Sequence, residues 1–226
     1  MALAQVLAKL SAEDKEVINK VVHFVWLASD QIGRCYGVSI EEANERIHRL
    51  RDAGLLLPDR RPLARGGAIW THTRTAAKVA GVCVDDDDVN RTWVYHHLTV
   101  VDVADALIRA EGPATWVTER ELRRIRKRRA REEGRLVDEH MPDGVLVTST
   151  GRSIAIEVEL NDKHWIRHYD ACHSYGEQFG YHAIRWYVTV PSLHQRLPKL
   201  WRELGLSEEM ELSVHNLPDG VEERHK

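Results

Sequence analysis

Residues 153–160, SIAIEVEL, alternate without exception between aliphatic side chains and small or acidic ones. An extended strand, whose side chains point to opposite faces in turn, satisfies that pattern. Ile154, Ile156, Val158 and Leu160 then share one face, and Ser153, Ala155, Glu157 and Glu159 the other. The stretch before it, HMPDGVLVTSTGR, ends in Ser149-Thr150-Gly151, which suits a three-residue hairpin loop with glycine in the left-handed position. That loop pairs Thr148 with Arg152, and counting outward brings Asp143 opposite Glu157. Cross-strand partners have Cβ atoms about 4.5–5.5 Å apart, so like charges there repel. A divalent cation relieves the repulsion, and Mg²⁺ in particular takes one or two carboxylates and keeps water or phosphate oxygens besides. The plain alternative is that both glutamates line the wet side of an edge strand.

The surrounding pattern predicts a mixed-sheet sandwich of α-β-β-β-α-β-α-β order. TERELRRIRKRRAREEG reads as a helix with Thr118 and Glu121 in capping-box spacing. Extended runs follow at 135–139, 144–148 and 153–160. NDKHWIRHYDACHSYGEQ is the next expected helix, which Lys163 begins, so that its ammonium reaches back over the carboxylates. Arg167 and Asp170 continue that side, while Trp165, Ile166, Tyr169 and Cys172 offer apolar packing. Tyr169, Tyr175 and Tyr181 have no spacing that assigns them a role. A strand AIRWYVTV, a helix SLHQRLPKLWRELG and a strand EMELSVHNL close the chain.

Residues 11–80 predict three helices and a hairpin. The first, SAEDKEVINKVVHFVWLA, is capped by Ser11, with Val17, Val21, Val22, Val25 and Trp26 at helical spacing. SDQIGRCYG is a short second helix ended by Gly37. The third opens with Ser39 and Glu42 in capping-box spacing, carries Ile40, Ala43, Ile47, Leu50 and Leu55 as its stripe, and stops at Gly54. LLPDRRPLARGGAIWTHT then makes two short extended runs around a basic turn. This is the order of a winged helix-turn-helix, which lays its third helix in the DNA major groove while the wing touches backbone. Arg46, Arg49 and Arg51 fall on the third helix, and Arg60, Arg61, Arg65 and Arg74 in the wing. A protein-docking module is the other use of such a unit.

The acidic block Asp85–Asp88 marks a linker, and WVYHHLTVVDVADALIRAEG a bridging helix on which His96 and His97, adjacent, cannot face one metal. The expected division is 1–84, 85–114 and 115–226. A net charge of −3 hides a segment, Arg120 to Arg135, with nine Lys/Arg against three Glu, and local fields govern nucleic-acid binding. Arg123, Arg124 and Lys127 on this helix, with Arg167, are candidate DNA contacts. No apolar stretch approaches the roughly 20 residues of a membrane span, and the acidic N-terminus does not suit a secretory signal. Three scattered cysteines, Cys35, Cys83 and Cys172, suit a reducing cytoplasm.

PDG followed by IEVELNDK resembles the PD-(D/E)xK nuclease core, whose helix-strand-strand-strand-helix-strand order matches residues 115–190. With the winged helix, the whole chain resembles the replication-relaxation family of bacterial mobile elements. The fold class so implied is α/β (α+β), a winged helix followed by a restriction-endonuclease-like core. The resemblance implies Mg²⁺ or Mn²⁺ on Asp143, Glu157 and the carbonyl of Val158, and a water attacking phosphorus. Glu119 would add an outer carboxylate. The lysine expected two residues after Glu157 is Glu159, which would position or deprotonate the water, while Lys163 neutralises developing charge. The function implied is metal-dependent nicking or cleavage of duplex DNA in plasmid or mobile-element replication or conjugative transfer. A homodimer and replication or conjugation proteins are the further partners it leaves open. A non-catalytic DNA-binding regulator or mobilisation accessory with a degenerate nuclease fold is the alternative.

Overall fold

The computed structural model describes residues 8–61, 63, 67–82, 93–134, 140–177, 180–208 and 210–224. The chain forms two units, one of residues up to Val101 with Arg224, the other Asp102–Glu223. Both are mixed in secondary structure, with eight α-helices and two sheets among the described residues, an α+β protein. The acidic block, the run at 135–139, Cys83 and Arg65 lie outside those residues.

In the first unit, α1 (Ala12–Phe24) starts in a reciprocal box: Asp14 N donates to Ser11 Oγ and Ser11 N to Asp14 Oδ2, each at 3.1 Å. The helix stops four residues earlier than its sequence pattern predicts. Val25 takes φ 73°, and Trp26–Ala28 form β1 instead. A β-branched residue at positive φ is strained by about 1–3 kcal/mol. What offsets it is burial: Trp26, Leu27 and Ala28 are all buried and pair with Thr71, Trp70 and Ile69 of β3 (Ile69–His72). Covering a large apolar side chain is worth about 1.5–3 kcal/mol, more than the differences in helix propensity that favour continuing α1.

α2 (Ser29–Tyr36) ends at Gly37, left-handed at φ 66°. α3 (Ile40–Asp52) is capped by Ser39 alone, because Glu42 turns its carboxylate to Arg46 at 2.7 Å. Ala43, Ile47, Leu50 and Leu55 enter the core as predicted, but Ile40 is exposed. β2 (Leu56–Asp59) and β3 make the expected antiparallel hairpin, joined by β1 in the order β1-β3-β2. Arg74 is not part of it: it opens a further short helix, α4 (Arg74–Val79), capped by Thr73.

α5 (Val94–Glu111) is followed by β4 (Ala114–Thr118), a strand the sequence pattern did not reveal. α6 (Glu119–Glu133) has the predicted box, with Thr118 N donating to Glu121 Oε2 at 2.9 Å. β5 (Gly144–Thr148), β6 (Ser153–Glu159), α7 (Trp165–Glu177), β7 (Ala183–Val188), α8 (Leu193–Glu203) and β8 (Glu211–Asn216) complete the second unit. Its sheet runs β4-β5-β6-β7-β8, antiparallel across the first three strands and parallel across the last three. The β5–β6 register is the one counted from the loop: Gly144 opposite Ile156, Leu146 opposite Ile154, and Gly151 left-handed at φ 78°. β6 is therefore the middle strand, not an edge. Ala155 on its glutamate face packs into a core with Cys172 and Tyr175 of α7, Leu197 of α8, and Ile184 and Trp186 of β7. Among the described residues no helix is long and apolar enough to cross a membrane.

Gly144 is required by its neighbour across the ladder. A Cβ there would collide with the indole of Trp116 in β4. Gly144→Ala is expected to lower unfolding stability by about 1–3 kcal/mol, the usual cost of overpacking, measured by urea denaturation. An unchanged midpoint would show that β4 yields without resistance.

Candidate metal and catalytic site

β6 positions the site because its alternation and its place in the sheet act together. Glu157 and Glu159 project from one face of a strand flanked on both sides, and are only 7% and 3% exposed. The wet-edge reading is excluded by those values. Each buried carboxylate then requires compensation, and the structure supplies it from four directions.

Asp143, one residue before β5, continues the ladder toward Glu157. Its Oδ2 accepts the Val158 N–H at 2.8 Å, so what Val158 brings to Asp143 is its amide. Glu157 Oε1 lies 2.6 Å from His140 Nε2 and also accepts the Tyr175 hydroxyl. His140 is itself fixed at both ends: its N–H donates to Ser174 Oγ of α7, and its carbonyl accepts from Arg126 of α6, each at 3.0 Å. Burial pushes the His140 imidazole down, but the charge and hydrogen bond of Glu157, with Asp143 beyond, outweigh it and leave it above its ordinary value. Burial and the Glu157 charge hold the Tyr175 phenol protonated, and push the Cys172 thiol up to about 12. Cys172 is thus a packing residue, and Tyr175 a donor buried beneath Glu157.

Glu159 Oε2 meets Lys163 Nζ at 2.8 Å. Lys163 does this from the connection before α7, since the helix begins at Trp165 and not at Asn161; His164 Nδ1, accepting from Ile166 N, occupies that start. His168 Nε2 lies 3.4 Å from the same carboxylate oxygen. That contact lacks hydrogen-bond alignment, and both His168 ring nitrogens are buried without a hydrogen-bond partner among the described residues. Glu119, at the head of α6, pairs with Arg123. Burial raises its carboxyl above the usual range, Arg123 opposes this, and Asp143 and Glu157 add to the rise. Those two couplings join Glu119 to the acidic group.

A cleft of about 670 Å³ opens onto Glu157, Glu159, Lys163, His140 and His168, among others. Asp143 reaches the site through Val158 and does not line it. Among the described residues no group of three or more His, Cys, Asp or Glu side chains is arranged to hold a metal ion. A Mg²⁺ site completed by water and phosphate asks for less, one or two carboxylates. Asp143 and Glu157 offer carboxylate oxygens, the donor chemistry that Mg²⁺ or Mn²⁺ takes, and of the two Glu157 lines the cleft.

His140, His168 and Tyr175 were missed in the sequence. His168, Cys172 and Tyr175 recur at i, i+4, i+7, and it is this stripe that α7 buries. Trp165, Ile166 and Tyr169, expected to pack, are exposed instead.

The candidate DNA contacts divide. Arg61 is bound to Asp59 through Nε at 2.8 Å, and its guanidinium lies 5.2 Å from the Trp26 ring centre. Arg46 pairs with Glu42 over the Tyr36 ring, and Arg123 with Glu119. Arg49, Arg60, Arg74, Lys127 and Arg167 are exposed, and Arg124 is half-buried. α6 has no fully buried residue, although Arg124 Nη2 is itself buried. Compared with known proteins, the chain matches no family model and no curated protein.

The raised His140 value carries a pH signature. Stability linked to it is fully present below about pH 6.5, the ordinary imidazole value, and is lost as pH rises through the higher folded value. The gap in melting temperature between wild type and His140→Gln is therefore expected to be wider at about pH 6 than at about pH 9, on either side of that titration. An equal gap at both would mean that His140 is not protonated against Glu157.

Proposed function

We propose that the chain is a DNA-processing protein in which a winged helix binds duplex DNA and a PD-(D/E)xK-like domain cleaves or nicks the backbone with a divalent metal. The observation that carries the reading is the carboxylate group at the β5–β6 ladder, half-buried Asp143 on the Val158 N–H next to buried Glu157, with the Lys163 ammonium 2.8 Å from Glu159. Lys163 thereby returns a lysine charge to the position where the motif's lysine is replaced by glutamate. In the first unit, the order helix, strand, helix, helix, strand, strand supports the winged-helix reading.

Asp143 and Glu157 would hold the metal, which when bound supplies Lewis acidity, lowers the pKa of a water and stabilises charge on phosphate. The chain's own residues do the rest. His140 and Tyr175 fix the Glu157 carboxylate from one side and so orient it. Glu159 accepts the water's proton, and Lys163 holds that carboxylate while offsetting negative charge on the phosphate. Glu119 stands as the outer carboxylate. Replication or transfer of a plasmid or mobile element is the setting the sequence resemblance suggests. The competing reading, a DNA-binding regulator with a degenerate site, draws on the lack of a three-residue metal group among the described residues.

Supercoiled plasmid incubated with Mg²⁺ or Mn²⁺ decides between them. Wild type is expected to yield nicked or linear DNA, and Glu157→Ala none, with duplex affinity retained or increased because a negative charge near phosphate is gone. Intact plasmid with every metal tried would leave the regulator reading standing.

The arginine geometry gives a second test. Arg49→Ala is expected to weaken duplex binding and lower the salt slope by about one phosphate contact. Arg61→Ala should act mainly on stability, since its guanidinium is engaged with Asp59 and Trp26. A slope lowered by Arg61→Ala and not by Arg49→Ala would move the contact from α3 to the hairpin.

A further inference from the structure

The exposed aromatic rings of α7 are not used by the proposed chemistry. Trp165, Tyr169 and His173 stand at i, i+4 and i+8 and so occupy one helix face. Trp165 and Tyr169 are 43% and 37% exposed, large values for such rings, with Ile166 exposed beside them. Their ring centres are evenly spaced, 6.0 Å from Trp165 to Tyr169 and 6.0 Å from Tyr169 to His173. That interval is the rise of about four helical residues, so the ladder runs along the helix axis.

Three features say what covers it. The ladder is continuous with the cleft, because Tyr169 and His173 line the same space as Glu157 and Glu159. Its flank carries two cations, Arg167 exposed on the same helix and Lys163 just before it on Glu159, with Asp170 beside Tyr169 as the one acid of this helix in the cleft. His168 and Trp186 line the cleft, and both His168 ring nitrogens and Trp186 Nε1 are buried without a hydrogen-bond partner among the described residues, His168 Nε2 lying 3.4 Å from Glu159 Oε2. Buried groups of that kind ask for an explanation, and a polar ligand entering the cleft is one. A purely aliphatic partner would suit neither the ring spacing nor those nitrogens. Unpaired nucleobases suit both, since every base has a face to stack and an edge to hydrogen-bond, while its phosphates meet the cations.

We infer that the Trp165–Tyr169–His173 ladder is a stacking platform for unpaired bases of a DNA strand and leads that strand into the cleft. This rests on the nuclease-like reading for its purpose, and names single-stranded or locally melted DNA as what that site receives.

Binding is read without divalent metal, so that it does not depend on cleavage. Fluorescently labelled oligo(dT), and an abasic strand of the same length, are titrated with the full chain and with Trp165→Ala/Tyr169→Ala. The double variant is expected to lose oligo(dT) affinity by on the order of tenfold or more, and to bind the abasic strand as wild type does. Trp165→Phe/Tyr169→Phe should restore much of the loss. Equal oligo(dT) affinity in wild type and the Ala variant would overturn the platform. So would an equal loss on the abasic strand, tighter binding of oligo(rU) than of oligo(dT), or a wild-type dimer that the Ala variant breaks without changing oligo(dT) affinity. Plasmid cleavage is scored separately. A chain that stacks oligo(dT) through the ladder but never cuts loses the nuclease reading only. One that cuts but ignores the ladder loses this inference only.

Discussion

Two carboxylates buried side by side on the middle strand of a sheet constrain everything packed around them. Removing an ionised carboxylate from water costs about several kcal/mol even after relaxation, and a second like charge nearby adds repulsion. The second unit answers from separate elements. The segment before β5 sends His140, α7 sends Tyr175 and Ser174, and the connection before α7 sends Lys163. α6 fixes the His140 carbonyl through Arg126. Apart from the adjacent Ser174 and Tyr175, these partners are well separated in sequence, so the site is formed only when the unit is folded.

Stability does not explain such a network. Replacing a buried ion pair by well-packed apolar residues is often neutral or stabilising, by about 1–4 kcal/mol. Glu157 and Glu159 also meet an open cleft, together with Lys163, His140 and His168. Carboxylates beside an open cleft suit a cation arriving with its own water and phosphate ligands better than they suit a core. That placement supports the proposal of a working site.

How much of this was legible in the sequence follows the range of each signal. The β5–β6 register was legible to the residue because two local facts fix it, strict alternation in SIAIEVEL and the glycine at 151. The cap at Thr118 and the helical stripe Ala43, Ile47, Leu50 were equally local. β1 and β4 were not: three and five residues long, they take their form from the strands they pair with, and in β1 tertiary burial overrides a helical pattern. Lys163 was placed near Glu159 for the wrong reason, since a connecting segment and not a helix delivers it. His140 and Tyr175 lie 17 and 18 residues from Glu157 on opposite sides of it, and only the packing of α7 on the sheet brings them together.

The same distinction between sequence position and structural availability applies to the basic residues. A guanidinium already bound to a carboxylate gives up that bond, at a cost, before it can bind phosphate. Arg61 would have to leave both Asp59 and the Trp26 ring, and Arg46 both Glu42 and the Tyr36 ring. Arg49 on α3 and Arg60 at the hairpin are exposed. Phosphate contacts draw most on charges that need least rearrangement. On that count Arg49 and Arg60 are the readier of the proposed phosphate contacts in the first unit, and Arg46 and Arg61 the costlier. In the second unit the exposed Arg167 adds to the cations of α6, while the buried acids lie within the cleft. A polyanion at that cleft would meet Lys163 and Arg167 together with Asp170, Glu157 and Glu159, so its approach depends on how far those acids are offset.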